Sequence, residues 1–478
     1  IRKSRSSCTR PSRSVRPGNP DTESAGNESC PRSPVPSKAD FVIVGGGYVG
    51  LHTAIELART APGSRIIVLE REHCGFGASG RNGGQVHSWW NQIPTLSTIC
   101  GREEAKLLAD ESVAAIERIG ELSNRHPEVD FRQSGWLWTA STEAQQGSWD
   151  ACLAECDAQG VEPFAQLSGA RLEEKTGTSV TRSGVFESTG GTVNPQGLVD
   201  ALKQEATELG VEVFERTPVL EVSGHGPASV RTPNGDTAAG KVILTTNAWA
   251  ARNRALQPYL YVVGSDIVLT NPLHEISDEH LPEVGLAACD SQPRVLYWSL
   301  RGDRRLAFGR GGGRIAPFNR IGRHSGGATR WRRDVITSMK RVYPKLGSAE
   351  PATAWSGAVD RTIDGFPIFG QTDRRGPLYG VGWSGSGVVG SALGGRILAS
   401  LACERDDFWS GNRLVTRRPI RLPREPLRTI GAHIVRSAVR QSGKAEEQGT
   451  IPNPVTRKVA AMAPSLEADP ESGPGAKQ

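Results

Sequence analysis

The residues able to do chemistry cluster in three glycine-rich stretches. The first reads Gly45-Gly46-Gly47-Tyr48-Val49-Gly50, and Glu70 lies 20 residues beyond Gly50. A G-x-G-x-x-G run between a strand and a helix binds the pyrophosphate of a dinucleotide, and an acid about 20 residues on takes a ribose hydroxyl. Gly45 makes the tight turn, Gly47 admits the backbone to the pyrophosphate, and Gly50 lets helix pack on strand. The free N–H groups and positive dipole end of the helix face the phosphates. A lone glycine run is weak, because glycine-rich turns are common. Here it has the right neighbours. Phe41–Val44 is an unbroken apolar run, an amphipathic stretch follows through about Arg59, and Pro62-Gly63 stops it. Arg65–Leu69 is a second apolar run, closed by Glu70 and Arg71. Together these form a βαβ unit on a parallel sheet buried on both faces.

The second stretch is Gly77-Ala78-Ser79-Gly80-Arg81-Asn82-Gly83-Gly84. It is too rich in glycine for a helix or strand. Its backbone donors and Arg81 suit a bound anion or ring system. The third is Tyr379-Gly380-Val381-Gly382-Trp383-Ser384-Gly385-Ser386-Gly387-Val388, ahead of an apolar helix at about 387–403.

These stretches, in this order, resemble the FAD-binding oxidoreductases of the D-amino-acid oxidase superfamily. In that family an Ala-Ser-Gly-Arg-Asn-Gly-Gly loop runs from the ribose acid toward the flavin. The C-terminal loop and helix start, matched by Gly382, Gly385, Ser386, Gly387 and Val388, cradle its pyrimidine end. Val193-Asn194-Pro195 occupies the family's Asp-Pro position. Val219 falls on the strand that contacts the adenine side. Thr245-Thr246-Asn247-Ala248-Trp249 is similar to a segment of the γ-glutamylputrescine oxidase branch. Trp355-Ser356-Gly357 with Thr362–Gly370 matches a Thr-x-Asp-x-x-Pro-x-x-Gly segment. The resemblance covers about residues 40–440. It implies FAD, with Arg71, Ser79, Gly80, Asn82, Gly83, Gly84 and Asn247 also in its binding site. The reaction implied is oxidation of a C–N bond by hydride transfer from an amine or amino acid to flavin N5, with oxygen or another electron acceptor.

Such chemistry needs no catalytic triad. It needs aromatic walls and one or two charged anchors. The candidates are Gln85, His87, Trp89 and Trp90 beyond the second stretch, Tyr297, Trp298, Arg310 and Trp383, of which His87, Tyr297, Arg310 and Trp383 are taken as catalytic. Each has an alternative. A lone His is more often structural, Trp89-Trp90 reads equally as core, and Arg310 sits in a glycine-rich turn. Tyr297 and Trp298 alternate on a strand, so only one of them faces the flavin. The sarcosine oxidase branch carries its flavin on a cysteine before the Asp-x-x-Pro segment. This chain has Trp355-Ser356 there, which predicts non-covalent FAD. That branch also has a lysine over the flavin that promotes reaction with oxygen. Ala307 stands at its position, with Arg305 and Arg310 as possible replacement cations. A dehydrogenase passing electrons to a quinone or protein acceptor, or a non-catalytic flavoprotein, stays open as an alternative.

The elements that must position these residues divide a mixed α/β chain of 478 residues. The expected fold is a Rossmann-type FAD domain interleaved with an antiparallel substrate domain. The expected FAD-domain parts are 41–130, 191–255 and 346–410, and the substrate-domain parts are 131–190 and 256–345. Asn234-Gly235 predicts a hairpin. Residues 103–124, 196–209 and 331–343 read as helices. Residues 1–40 are rich in Ser, Pro and Arg and are expected to be disordered, as is 441–478, with an Arg/Pro-rich extension over 411–440. The first methionine is Met339, so the start is read as a truncation or a non-standard start codon.

The formal charge of +6 comes from the ends. Residues 1–20 carry +6, residues 411–478 carry +6, and the body between carries −6. No basic stripe interleaved with aromatics supports nucleic-acid binding. No apolar run approaches the ~18 residues of a membrane span. The eight cysteines are scattered without a metal-ligand pattern, which points to a reducing, cytoplasmic setting and no metal.

Overall fold

The structure, a computed structural model, describes residues 34–224, 227–321, 329–347 and 349–463. Two eight-stranded sheets dominate it. The first has Lys38–Val44 at its centre, parallel to Ile66–Leu69 on one side and to Gly235–Leu244 on the other. Glu212–Phe214 and Leu378–Val381 extend it in parallel, and Ile368–Gln371 closes one edge antiparallel. Val42, Ile43, Ile67 and Val68 are fully buried, each stabilising the fold by about 1.5–3 kcal/mol.

Helix Tyr48–Thr60 packs on helix Gly387–Ala402 and on helix Pro195–Glu208. Close approach is built in: a Cβ at Gly395 would lie 2.6 Å from His52 Cβ, and one at Gly390 2.7 Å from the Trp89 ring. Trp89 and Trp90 are thus buried core residues, the alternative that the sequence left open.

The second sheet runs, in spatial order, Pro351–Arg361, Tyr261–Thr270, Leu306–Arg310, Leu296–Leu300, Ala287–Asp290, Trp136–Ala140, Ser183–Glu187 and Ala165–Ser168. It is antiparallel as expected, except that Ala287–Asp290 pairs in parallel with Trp136–Ala140. The register puts Val263, Ser265 and Ile267 on one face with Gly357, Val359 and Arg361. Ile267, Gly309 and Tyr297 line up across three strands on that face. Trp298 falls on the other face, stacked on Phe308 with ring centroids 5.8 Å apart.

Three expectations about the chain's ends and turns need correcting. The first strand begins at Lys38, not Phe41. Ahead of it Val35 is buried, and Thr237 Oγ1 donates to the Pro36 carbonyl at 2.7 Å. Residues 1–33 lie outside the described residues. At the other end, Leu427–Glu447 and Pro454–Ala460 are helices, so 441–463 is ordered. Residues 464–478 lie outside the described residues. Val219 is in the loop before strand Glu221–Ser223 rather than on a strand.

Candidate active site

The first sheet opens onto a cavity of about 320 Å³ at the carboxyl ends of its parallel strands. Its floor is the 45–50 turn. Gly45 has φ +115°, and a Cβ there would lie 2.8 Å from the Thr245 carbonyl oxygen. A Cβ at Gly50 would lie 1.9 Å from the Gly45 carbonyl oxygen. Both positions therefore require glycine. Helix Tyr48–Thr60 starts at the cavity with no side-chain cap and no acid in its first turn. That end is positive and suited to an anion.

Glu70 and Arg71 line the same cavity, with Ser79, Val219 and Asn247. Glu70 accepts hydrogen bonds from the N–H of Gly46 at 2.8 Å and of Glu72 at 2.9 Å, which fix its carboxylate at the cavity edge. The Arg71 guanidinium lies 5.0 Å from the centre of the Trp249 ring. Ser79 Oγ accepts from Tyr48 N–H at 3.0 Å, which ties the second glycine stretch to the first helix.

The loop 77–84 leads from this cavity into a second of about 200 Å³, and Ala78 lines both. Asn82 holds the loop's shape. Its Nδ2 donates to the Ser79 carbonyl at 2.7 Å, and its Oδ1 accepts from Gly84 N–H at 2.8 Å. Gly83 must lack a side chain, because a Cβ would lie 2.9 Å from the Tyr297 ring. A Cβ at Gly80 would lie 2.6 Å from the Gly75 carbonyl oxygen. Arg81 and Asn82 line the second cavity, Arg81 with its guanidinium 4.4 Å from the Phe76 ring centre.

The far wall is the face of the second sheet described above. Tyr297 stands there between Gly83 and Gly309, its hydroxyl 2.7 Å from Ser265 Oγ. Burial raises its phenol pKa, so it stays protonated. His87 and Trp136 complete the wall, ring centroids 5.0 Å apart. His87 Nδ1 is 3.1 Å from the Ser88 carbonyl oxygen. A carbonyl only accepts, so Nδ1 carries the proton and Nε2 is left as the acceptor. Burial lowers the His87 pKa, partly offset by nearby Glu187, and keeps the ring neutral. Gln85 lines the cavity but spends its amide on the carbonyls of Ala288 at 2.7 Å and Trp298 at 3.2 Å. Cys289 also lines it, with a thiol pKa raised by burial.

Ser384, Gly385, Ser386 and Val388 form the third side. Gly382 has φ +88° and Gly385 φ +106°, conformations that glycine adopts without strain. Helix Gly387–Ala402 begins here with no side-chain cap. Ser386 Oγ accepts from Gln92 Nε2 at 3.0 Å.

Two candidate residues lie elsewhere. Arg310 pairs across the sheet with Leu296, on the face opposite Tyr297. It is buried, donates to Ser338 Oγ at 2.7 Å, and forms ion pairs with Asp334 and Glu447. Strand alternation, not the glycine turn, decides its direction, and it reaches neither cavity. Trp383 lines the first cavity, but its ring is buried against Phe369 and fills the space over Gly394. It packs the helix rather than the second cavity.

Reading the sequence missed Arg361, Asp360, Ser265 and Arg301. Arg361 lines the second cavity, and its Nε has no hydrogen-bond partner among the described residues. Arg301, not Arg305 or Arg310, shares with Ala307 a small cavity of about 30 Å³ that Asn82 and Gly83 also line. Arg305 does not line it and pairs with Asp303 at 3.4 Å, a carboxylate that Arg301 also meets at 3.9 Å. Strand parity would have flagged Ser265 and Arg361, and Arg301 just past its strand, had the sheet order been known; Asp360 has the opposite parity. No group of acids, histidines and cysteines able to hold a metal occurs among the described residues.

The two cavities fit FAD. The first offers a positive helix end, a carboxylate and an apolar wall to an ADP moiety. The second offers aromatic and aliphatic walls and peptide N–H groups to a ring system. The comparisons agree. Residues 40–401 match the model of the family described as FAD dependent oxidoreductase. The chain is 27% identical over 386 residues to the probable oxidoreductase OrdL of Haemophilus influenzae, covering 77% of this chain and 84% of that protein. It is also 27% identical over 375 residues to the γ-glutamylputrescine oxidoreductase of Escherichia coli, covering 76% and 83%. The crystal structure of glycine oxidase from Geobacillus kaustophilus superposes with a TM-score of 0.64 at 22% identity, covering 80% of this chain and 100% of that one.

Proposed function

Since the chain belongs to the FAD dependent oxidoreductase (DAO) family, we propose that it oxidises the C–N bond of a small amine or amino acid at the second cavity. The observation that carries this reading is the wall of that cavity. Tyr297, Trp136, Ile267 and Val359 form an apolar slot, and Arg361 supplies one cation with an unsatisfied donor. FAD, when bound, supplies a two-electron acceptor for hydride from the carbon that carries the nitrogen. This chain's residues do the rest. The aromatic walls exclude water and orient the substrate carbon. The substrate binds as the neutral amine, from which hydride leaves, and neutral His87 offers Nε2 as a hydrogen-bond acceptor to its N–H. Arg361 holds a substrate carboxylate by charge-assisted hydrogen bonds.

The flavin is held without a covalent bond in this reading. Of the described cysteines Cys289 lines the second cavity, and its protonated thiol is a poor nucleophile. Acid precipitation should therefore release the yellow colour into the supernatant. The acceptor is oxygen, or a quinone or protein if reoxidation by air is slow. The activity itself is tested by incubating the flavin-loaded protein with amines and amino acids and assaying the carbonyl product. A panel that yields no carbonyl product, with either oxygen or an artificial dye as acceptor, would leave a flavoprotein without this activity.

A further inference from the structure

An ordinary surface helix buries its apolar stripe and exposes its charges, whereas helix Leu427–Glu447 buries Val439 and the small residues Ala438, Ser442 and Gly443 with Arg428, and leaves its largest apolar side chains outside. Charged side chains share that inward face. Arg428 donates to the carbonyls of Gln257 at 2.7 Å and Leu260 at 3.1 Å, Arg436 to the Gly312 carbonyl at 3.4 Å, and Glu447 pairs with Arg310 and Arg341. Its outward face carries Leu427, Ile430 and Ile434 at helical spacing, 68%, 53% and 56% exposed. The following helix, Pro454–Ala460, packs against it, with Thr456 Oγ1 donating to Gln441 Oε1 at 3.4 Å. Around that second helix Ile451, Val455 and Met462 are exposed. Eleven large apolar side chains are exposed among the described residues, and seven of them lie between Ile420 and Met462. Such concentration marks an interaction surface rather than the usual scatter.

The charge around the patch is of one sign. Residues 411–463 hold eleven Lys/Arg and three Asp/Glu. Arg418, Arg421, Arg424, Lys444, Arg457 and Lys458 are exposed, whereas Glu425, Glu446 and Glu447 are not fully exposed. We propose that this face docks the protein on an anionic lipid surface. Large apolar residues inserted at the headgroup level and flanking Lys/Arg are the two components of interfacial binding, and each is too weak alone. A second copy of this chain fits less well. A two-fold dimer through the patch would bring it onto itself, cation against cation. Gly312, gripped by Arg436, also lines the second cavity, so the docked face lies beside the substrate cavity. The proposal concerns the surface alone and stands or falls independently of the reaction.

Sedimentation of the flavin-loaded full chain with vesicles tests it. One set is phosphatidylcholine alone and the other contains phosphatidylglycerol. The expected result is binding to the anionic vesicles, weakened by salt, and at least tenfold weaker for Ile430→Asp/Ile434→Asp with flavin content and melting temperature unchanged. Leu209→Asp, at an exposed residue elsewhere, should bind as the parent does. If the isoleucine pair destabilises the fold, Arg457→Glu/Lys458→Glu takes its place and should show the same loss. Three results would overturn the proposal. These are no binding to anionic vesicles, equal binding by the variants, or a dimer in equilibrium sedimentation that the same substitutions dissociate.

Discussion

The carboxylate of Asp360 accepts hydrogen bonds from the backbone N–H of Gly382 at 2.5 Å and of Trp383 at 3.2 Å. Strand Pro351–Arg361 therefore grips the third glycine stretch, and Arg361 beside Asp360 faces the second cavity. Asp360 is fully buried, and burial pushes its pKa up to about 6. Removing its acceptors would strand two N–H groups in the interior, at about 1–3 kcal/mol each. Asp360→Ala should thus loosen the 382–387 loop and weaken FAD retention about tenfold or more, with Asp360→Asn intermediate. Flavin fluorescence on dilution measures this. Parental retention in Asp360→Ala would mean that the loop does not hold the cofactor.

Arg361 should decide between substrates. An amino acid places a carboxylate in the second cavity, whereas a plain amine does not. A charge-assisted bond to guanidinium contributes about 1.5–3 kcal/mol. Arg361→Gln should raise KM for amino acids by roughly ten- to a hundredfold, with kcat little changed, and leave plain amines alone. Steady-state kinetics on a matched pair, an amino acid and its decarboxylated amine, gives the answer. An equal effect on both would mean that Arg361 acts through the fold.

Arg301 is the cation that shares a cavity with Ala307. The first electron passed to oxygen makes an anion, which a fixed positive charge in a water-poor site stabilises by several kcal/mol. If reduced enzyme reoxidises quickly in air, Arg301→Gln should slow it at least tenfold, while Arg310→Gln should not slow it through this route. Stopped-flow reoxidation distinguishes them. Fast reoxidation that survives Arg301→Gln would refute the electrostatic role, and slow reoxidation in the parent would favour a dehydrogenase.

Asp290 gives a pH signature. It is fully buried, and its Oδ1 accepts from Leu296 N–H at 2.7 Å and Gln292 N–H at 3.2 Å. Burial pushes its pKa to about 7, against ~3.9 in an unfolded chain. The folded form keeps its proton over a range where the unfolded form has lost it. The stabilisation this provides is full below about pH 4 and is lost as pH rises through 7. The melting temperature of the parent minus that of Asp290→Asn should therefore fall between pH 5 and pH 8. Parallel melting profiles would show that Asp290 titrates alike in both states.

What the sequence made legible was local. The 45–50 turn, Glu70 and the 77–84 loop are contiguous motifs whose glycines answer to backbone geometry a few residues away. Tyr297 against Trp298 was resolvable in principle by alternation, but which face held the site depended on pairing with Ser265 and Gly309, far along the chain. Arg310 misled for that reason. A cation in a glycine-rich turn looks like an anchor until its partners, Asp334 and Glu447, come from two distant helices. Asp360 lay between two recognised motifs and gave no local sign, because its partners at Gly382 and Trp383 are more than 20 residues on. The helix Leu427–Glu447 escaped because its largest apolar residues, Leu427, Ile430 and Ile434, face outward while Arg428 is buried with small residues, which blurs the pattern that a buried stripe would give.

If the second cavity delivers an amine carbon to bound FAD, substrate alone should reduce the flavin. Anaerobic mixing of the yellow protein with a panel of amines and amino acids reads this out without any acceptor. At least one of them should bleach the flavin band in a single saturable phase, half-saturating at a lower concentration for an amino acid than for its decarboxylated amine, and Arg361→Gln should remove that preference. A flavin that stays oxidised with every member of the panel, while dithionite still reduces it, would mean that the second cavity delivers no amine carbon to it.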